Sequence, residues 1–351
     1  MFRDYRDQVD FFYVYKRLAH PETNNLIEPA NIQERIKHIE EAQRLTGTEI
    51  PWLCDSMDSA ATKAFGETYN GEFVIAPGGN VVRQRFWSNP RTLRSDLAEL
   101  IGEVEKPTQI ADLPVRFRPE PRKVASGVVE RLTLPPGLQP VEVEYLPMEP
   151  VRPLFVKLRA EVLTQANDSG KFPLYLGFYP DPIHRVHWNN AAGAVTVQIN
   201  PGEDGPISKT ALQASVPEES ADCDPRMFLV DLDRVRDDDV LDISLRYVIC
   251  DDAETFCFPV KQDFKVTMKR IRNGSTRPGV FLERLFGNVR KFDSDGDGSI
   301  TPEELGQGNV TMYMTHLDYN LDDVIDSEEV ERFNKMYNNG RGIVPAAEKD
   351  D

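Results

Sequence analysis

The chain has 351 residues, 40% hydrophobic and 28% charged, the make-up of a folded protein long enough for two or three separate cores. Its net charge is −17 and unevenly placed: from Asp293 to Arg332, twelve acids face a single base. A basic footprint for nucleic acid is therefore absent, and no apolar run approaches the roughly 18 residues of a transmembrane helix.

In chain order, "MFRDYRDQVD" opens charged, without the apolar stretch of a secretory signal. "VDFFYVYK" is aromatic and β-branched and reads as a buried strand. "NIQERIKHIEEAQRLTG" predicts a helix with Ile32, Ile36, Ile39 and Ala42 on its inner face and Gly47 as its stop. "EIPWLCD" predicts a second strand holding Cys54 as an inert buried thiol, and "SAATKAFG" a short helix. "EFVIAPGGNVVRQRFW" predicts a hairpin with glycines at its turn, and "NPRTLRSDLAELIG" a closing helix. That order of elements is the larger part of a thioredoxin fold, with parallel strands joined by helical crossovers.

The residues "DFFYVYKRLAHPE", "NIQERIKHIEEAQRL", "IPWLCDSMD" and "EFVIAPGGNVV" resemble the iodothyronine deiodinase family and its bacterial relatives over about 100 residues. The resemblance implies a histidine that assists the chemistry after the first of these strands, at His20; read alone, His20 is a loop histidine closing a strand end before Pro21. The family's nucleophile, a selenocysteine or cysteine, belongs to a strand-to-helix turn that would lie upstream of Met1. The resemblance therefore leads us to expect a fuller gene product with that strand, a selenocysteine or cysteine on it, and an export signal or anchor. Without such a strand, "VDFFYVYK" is expected to lack one sheet neighbour and to leave an apolar edge open.

Ten of the 26 prolines fall between Pro107 and Pro153, which marks extended connection rather than packed helix. A second break is "RNGSTRPG". The chain divides into residues 1–106, a proline-rich linker at 107–124, a β-rich piece at 125–272, a compact piece at 280–338 and a tail at 339–351. In the third of these, "LFVKLRAEVLT", "FPLYLGFY", "GAVTVQIN", "RMFLVDLD", "DVLDISLRYVIC" and "FCFPVKQDFKVTMKRI" alternate as strands do and predict a sandwich. "PDPIHRVHWNN" offers His184 and His187, but neither a nearby cysteine nor a third histidine completes a metal site; a surface loop packed around Trp188 is expected.

Cys250 and Cys257 flank "DDAETF" at the last hairpin, where facing residues lie near disulfide distance. Zinc needs four ligands and tighter spacing, which Cys223 and the scattered histidines do not supply. A structural staple and a redox pair both remain open. "YVICDDAETFCFPVKQDFKV" resembles the cysteine hairpin of the amino-terminal domain of the thiol:disulfide interchange protein DsbD, an immunoglobulin-like sandwich. That resemblance implies an exchanging pair, although the gap here is longer and one proline, Pro259, follows instead of two.

"DSDGDGSITPEE" fits the calcium-loop pattern at every position. Asp293, Asp295 and Asp297 offer carboxylates, Ser299 its carbonyl, Thr301 the position that often works through water, and Glu304 two closing oxygens. Gly298 makes the sharp turn and Ile300 is placed to pair between loops. "DYNLDDVIDSEE" repeats the pattern with Asp318, Asn320, Asp322, Val324, Asp326 and Glu329; Asp323 stands where glycine is preferred. Only 13 residues, Leu305 to Leu317, separate the loops, so short helices and a tight pair are expected. Dockerin modules are similarly compact, but the closing glutamates favour an EF-hand.

The expectation is a multidomain chain, α/β then all-β then α: a partial thioredoxin-like fold, an immunoglobulin-like β-sandwich and an EF-hand pair taking two Ca2+ ions. The expected role is thiol or selenol redox chemistry with a redox protein partner, in an extracytoplasmic compartment of a bacterium. The rival is a non-catalytic, calcium-stabilised binding protein with a degenerate thioredoxin-like piece.

Overall fold

The computed structural model describes residues 1–18, 26–66, 68, 70–109, 112, 113, 122, 124–271, 289–306 and 309–337. It is β-rich and divides into two compact units, Met1–Arg17 with Pro29–Arg118, and Leu18–Glu28 with Pro119–Asp351. Most of the expected 107–124 linker lies outside the described residues.

The first unit begins with a short helix, α1 (Phe2–Tyr5), and a strand, β1 (Tyr13–Tyr15). Helix α2 (Ile32–Thr46) crosses over to β2 (Trp52–Cys54), which pairs parallel with β1, Tyr15 opposite Cys54. Asn31 caps α2 by accepting from Glu34 N at 3.0 Å, and Gly47 ends it at a φ of 58°, a left-handed residue that glycine adopts without strain. Helix α3 (Ala60–Ala64), the hairpin β3 (Glu72–Ile75) with β4 (Val81–Arg85), and helix α4 (Pro90–Ile101) follow. Arg85 on β4 pairs with Glu72 on β3 and ties the hairpin to α4 through Asp96.

Two sequence expectations are corrected here. Helix α2 buries Arg35, His38 and Ile39, while Ile36 is exposed. The helix is turned toward its polar partners: Arg35 donates to the carbonyls of Asp55 and Ser56 at 3.0 and 2.8 Å, and His38 Nδ1 meets the Tyr15 hydroxyl at 2.9 Å. A buried guanidinium left without partners costs more than the apolar surface that Ile36 leaves in water. Nor is β1 buried. Tyr13 and Val14 are exposed, as is Leu53 beside them, because β1 has β2 as its one sheet partner among the described residues.

The second unit is built on one long sheet, ordered β10-β9-β13-β14-β5-β6-β7-β12. Its strands are β5 (Gln139–Tyr145), β6 (Val156–Val162), β7 (Phe172–Pro180), β8 (Val186–Asn189), β9 (Thr196–Asn200), β10 (Thr210–Gln213), β11 (Ala221–Asp222), β12 (Arg226–Leu232), β13 (Val240–Asp251) and β14 (Cys257–Arg270). The sheet folds over at β5, whose start pairs with β6 and whose remainder pairs with β14. In a flat sheet β7 and β14 would stand about 14 Å apart. Instead the rings of Phe178 on β7 and Phe264 on β14 are 5.9 Å apart, so the two halves face each other across a core. Leu158, Leu176, Trp188, Ile199, Leu245 and Phe264 are among the side chains sealed there.

The long strand β13 carries β14 along one edge; its other edge is shared by β9 near its start and β8 near its end. That second partner corrects the reading of "RVHWNN" as a surface loop: His187 and Trp188 are buried strand residues, and only His184 sits in a short turn, Pro182–His184. A β13 of this length offers more edge than β9 covers, and β8 fills the remainder.

The carboxy-terminal helices are α5 (Pro302–Leu305), α6 (Val310–Leu317) and α7 (Ser327–Tyr337). They close over a separate small core that includes Ile300, Leu317, Ile325 and Phe333.

Phe264 touches both halves of the folded sheet, meeting Tyr145 and Phe178. Phe264→Ala is expected to lower stability by about 3–5 kcal/mol, read as a shifted denaturation midpoint by circular dichroism.

Candidate metal centre and cysteine hairpin

The two acidic loops repeat one hydrogen-bond pattern, position by position. In the first, Asp293 Oδ1 accepts from Gly296 N at 2.8 Å and Oδ2 from Gly298 N at 3.1 Å. In the second, Asp318 accepts from Leu321 N at 2.7 Å and Asp323 N at 3.0 Å. Asp295 and Asp297 accept from the amides of Asp297 and Ser299, and Asn320 and Asp322 accept from those of Asp322 and Val324. The closing glutamates match as well: Glu304 reaches the amides of Ser294 and Thr301, and Glu329 those of Tyr319 and Asp326.

The backbone turns repeat too. Gly296 and Gly298 have φ of 77° and 88°, and Leu321 and Asp323 at the same two positions have 64° and 65°. Aspartate at the second position was read from the sequence; leucine at the first was not, since a β-carbon is disfavoured there. Ile300 and Ile325 join the loops by two backbone hydrogen bonds, 2.9 and 3.0 Å.

Asp293, Asp295 and Asp297 each bring a carboxylate oxygen within 4.8 Å of the others. With Ser299, Thr301 and Glu304 in the first loop, and Asp318, Asn320, Asp322, Val324, Asp326 and Glu329 in the second, each loop offers only hard oxygen donors, a set suited to Ca2+ rather than to a thiophilic ion. The closing glutamates differ in setting. The backbone amides of Thr301 and Ser294 hold the half-buried Glu304 carboxyl down at about 2, whereas burial pushes that of Glu329 up.

Cys250 and Cys257 face each other across β13 and β14 and are joined as a disulfide. Cys257 is exposed and Cys250 buried. Asn189 donates from Nδ2 to Cys257 Sγ at 3.2 Å, its orientation fixed because Oδ1 accepts from Ala192 N at 3.1 Å. His187 lies opposite Cys250 on the other flank of β13. Its Nδ1 is 3.4 Å from Asp252 Oδ1, and Arg122 grips Asp252 with two bonds of 2.9 and 2.6 Å. Burial opposes ionisation of Asp252, the hydrogen bonds from Arg122 outweigh it, and the carboxyl sits below the ordinary carboxylate range.

His184 and His187 do not converge on a shared site with a cysteine among the described residues. Cys54 ends β2, half-buried, its thiol raised by burial. His20 lies outside the described residues. Sequence reasoning missed Arg122 and Asp252, which stand 130 positions apart, and Asn189, whose signal is only its place beside a buried tryptophan.

No protein-family model matches the chain, and no curated protein matches it. Among solved structures it is similar to that of a protein from Bordetella pertussis assigned provisionally as ApaA. The two share 14% identity, over 38% of this chain and 99% of that one, with a TM-score of 0.21, and nothing is carried over from it.

Because Asp252 is more acidic folded than unfolded, its contribution to stability is complete above the unfolded value of about 3.9 and is lost as pH falls through the folded one. Asp252→Asn is therefore expected to destabilise most near neutral pH. The gap from wild type should narrow below pH ~4 in denaturant melts across a pH series.

Proposed function

We propose that this chain is a calcium-binding protein whose carboxy-terminal loops form an EF-hand pair for two Ca2+ ions. One observation carries the reading: the two twelve-residue loops use the same acceptors for the same amides, and are tied by the Ile300–Ile325 bridge. Chance acidity of a solvated surface does not reproduce a ligand register twice. Asp293, Asp295, Asp297, Ser299, Thr301 and Glu304 would hold one ion, and Asp318, Asn320, Asp322, Val324, Asp326 and Glu329 the other. The bound ions supply charge neutralisation, which lets the acids pack without mutual repulsion.

A second reading is supported by the hairpin: thiol–disulfide exchange at Cys250–Cys257 with a redox protein partner, in an extracytoplasmic compartment. An exposed sulfur on a small loop, beside an amide donor, suits attack by an incoming thiolate. The thioredoxin-like reading of residues 1–106 is supported by the parallel β1–β2 pair with its helical crossover, followed by a hairpin and a helix. A deiodinase-type activity has His20 as its one named residue here. The rival, a non-catalytic protein stabilised by calcium, keeps the loops and makes the disulfide a staple.

Isothermal titration is expected to show calcium binding to the intact chain, and its weakening in Asp293→Ala and Glu304→Ala; unchanged binding in both variants sinks the assignment. Thiol counting before and after mild reductant separates the two roles of the hairpin. A bond that opens readily in the folded protein is an exchanging pair, and one that resists is a staple.

A further inference from the structure

Strand β13 pairs Cys250 with Cys257 on one flank and with His187 on the other, so the three side chains share one face of the sheet. Directly opposed residues of an antiparallel pair hold their β-carbons about 4.5–5.5 Å apart, which sets the imidazole beside the Cys250 sulfur. Of the two sulfurs, Cys257 is the exposed one and Cys250 the buried one. A partner thiol therefore meets Cys257, and Cys250 is the sulfur that leaves as the bond opens and returns as it closes.

The neighbours of His187 decide which ring nitrogen is the base. Its Nδ1 is 3.4 Å from Asp252 Oδ1, and Arg122 donates to both Asp252 oxygens, at 2.9 and 2.6 Å. An ionised carboxylate can only accept, so a neutral imidazole there carries its proton on Nδ1 and keeps the Nε2 lone pair as a base. Arg185 Nε lies 3.8 Å from the other Asp252 oxygen and adds positive charge to the same carboxylate. On the far flank of β8, Asp222 stands opposite Trp188 and gives its oxygens to Arg226 and Asn190. Cys223 follows it, its thiol donating to the Ala125 carbonyl at 3.4 Å.

We propose that His187 is the acid–base partner of Cys250 in thiol–disulfide exchange, oriented by Asp252 and Arg122. The proposal rests on the exchange reading above. In the oxidising direction the Cys257 thiolate attacks a partner disulfide and displaces one partner thiolate. His187 Nε2 then takes the Cys250 proton, and the Cys250 thiolate attacks Cys257 Sγ. The Cys250–Cys257 bond forms, the mixed disulfide breaks, and the second partner thiolate leaves. Two electrons pass from the chain's thiols to the partner disulfide. In the reverse direction the imidazolium returns the proton to Cys250 as that sulfur leaves. Asn189, donating to Cys257 Sγ at 3.2 Å, steadies the sulfur that meets the partner.

The test mixes the intact, reduced chain with glutathione disulfide and follows release of the second glutathione across a pH series. Peptide-resolved mass spectrometry confines the count to Cys250 and Cys257, apart from Cys54 and Cys223. His187→Gln is expected to slow ring closure about tenfold at pH ~7. The loss should vanish above pH ~9, where a cysteine thiol of ordinary pKa, about 8.5, ionises without help. Asp252→Asn should show the same loss confined to lower pH, and circular dichroism identifies the folded variants; either one, folded, decides. A loss of equal size at every pH, or no loss, overturns the proposal. So does glutathione found on Cys250 in place of Cys257. A wild-type bond that neither forms from glutathione disulfide nor opens in mild reductant overturns the exchange reading, and this proposal with it.

Discussion

A buried charge cluster holds the second unit together. Asp222, Asp224 and Arg226 are almost wholly withdrawn from solvent, and the carboxylate oxygens and terminal guanidinium nitrogens all have partners. Arg226 reaches both Asp222 oxygens, at 2.9 and 2.6 Å, and also the Asp224 carbonyl and Asn190. Desolvating such ions costs several kcal/mol each, roughly, and only this degree of pairing offsets it. What the cluster secures is geometry: Trp188 Nε1 binds the Asp224 carbonyl at 2.7 Å and anchors β8, while the Asp224 carboxylate gathers the amides of residues 127–129.

Both candidate sites of that unit lean on this anchor. Strand β8 brings His187 beside Cys250, and Asn189, at its end, reaches Cys257. The gathered segment receives Arg332 from α7. A small helical module and a folded sheet, each with its own apolar core, are thereby joined through polar contacts rather than through a shared core. Polar joints of this kind are specific in geometry and modest in energy.

What could be read from the sequence was whatever is local. Every acceptor in the acidic loops finds its amide within ten positions, so spacing alone displays the pattern. The cysteine pair was legible for the same reason, being two ends of one hairpin. Long-range polar partners were not legible. Nothing in "NIQERIKHIEE" shows that Arg35 will reach the Asp55 and Ser56 carbonyls, and without that partner the isoleucines look like the inner face. The prolines around "RVHWNN" suggested a loop because the edge that receives β8 is formed by a strand more than fifty residues later. The fold-over at β5 was hidden too, since one strand serving two layers leaves no mark on its alternation.

The left-handed residues of the second loop make the two loops unequal in the cost of their turns. Gly296 and Gly298 adopt their turns freely, whereas Leu321 and Asp323 hold the same turns against their own β-carbons, at about 1 kcal/mol or more each. That cost falls on the ordered form of the second loop, and 1.4 kcal/mol corresponds to about tenfold in an equilibrium between ordered and loosened forms. The first loop therefore orders at the lower cost and the second at the higher. Since Tyr319 and Arg332 belong to the second loop and its helix, the joint to the sheet is built on the costlier of the two turns, and the loop whose glycines turn freely stands apart from it.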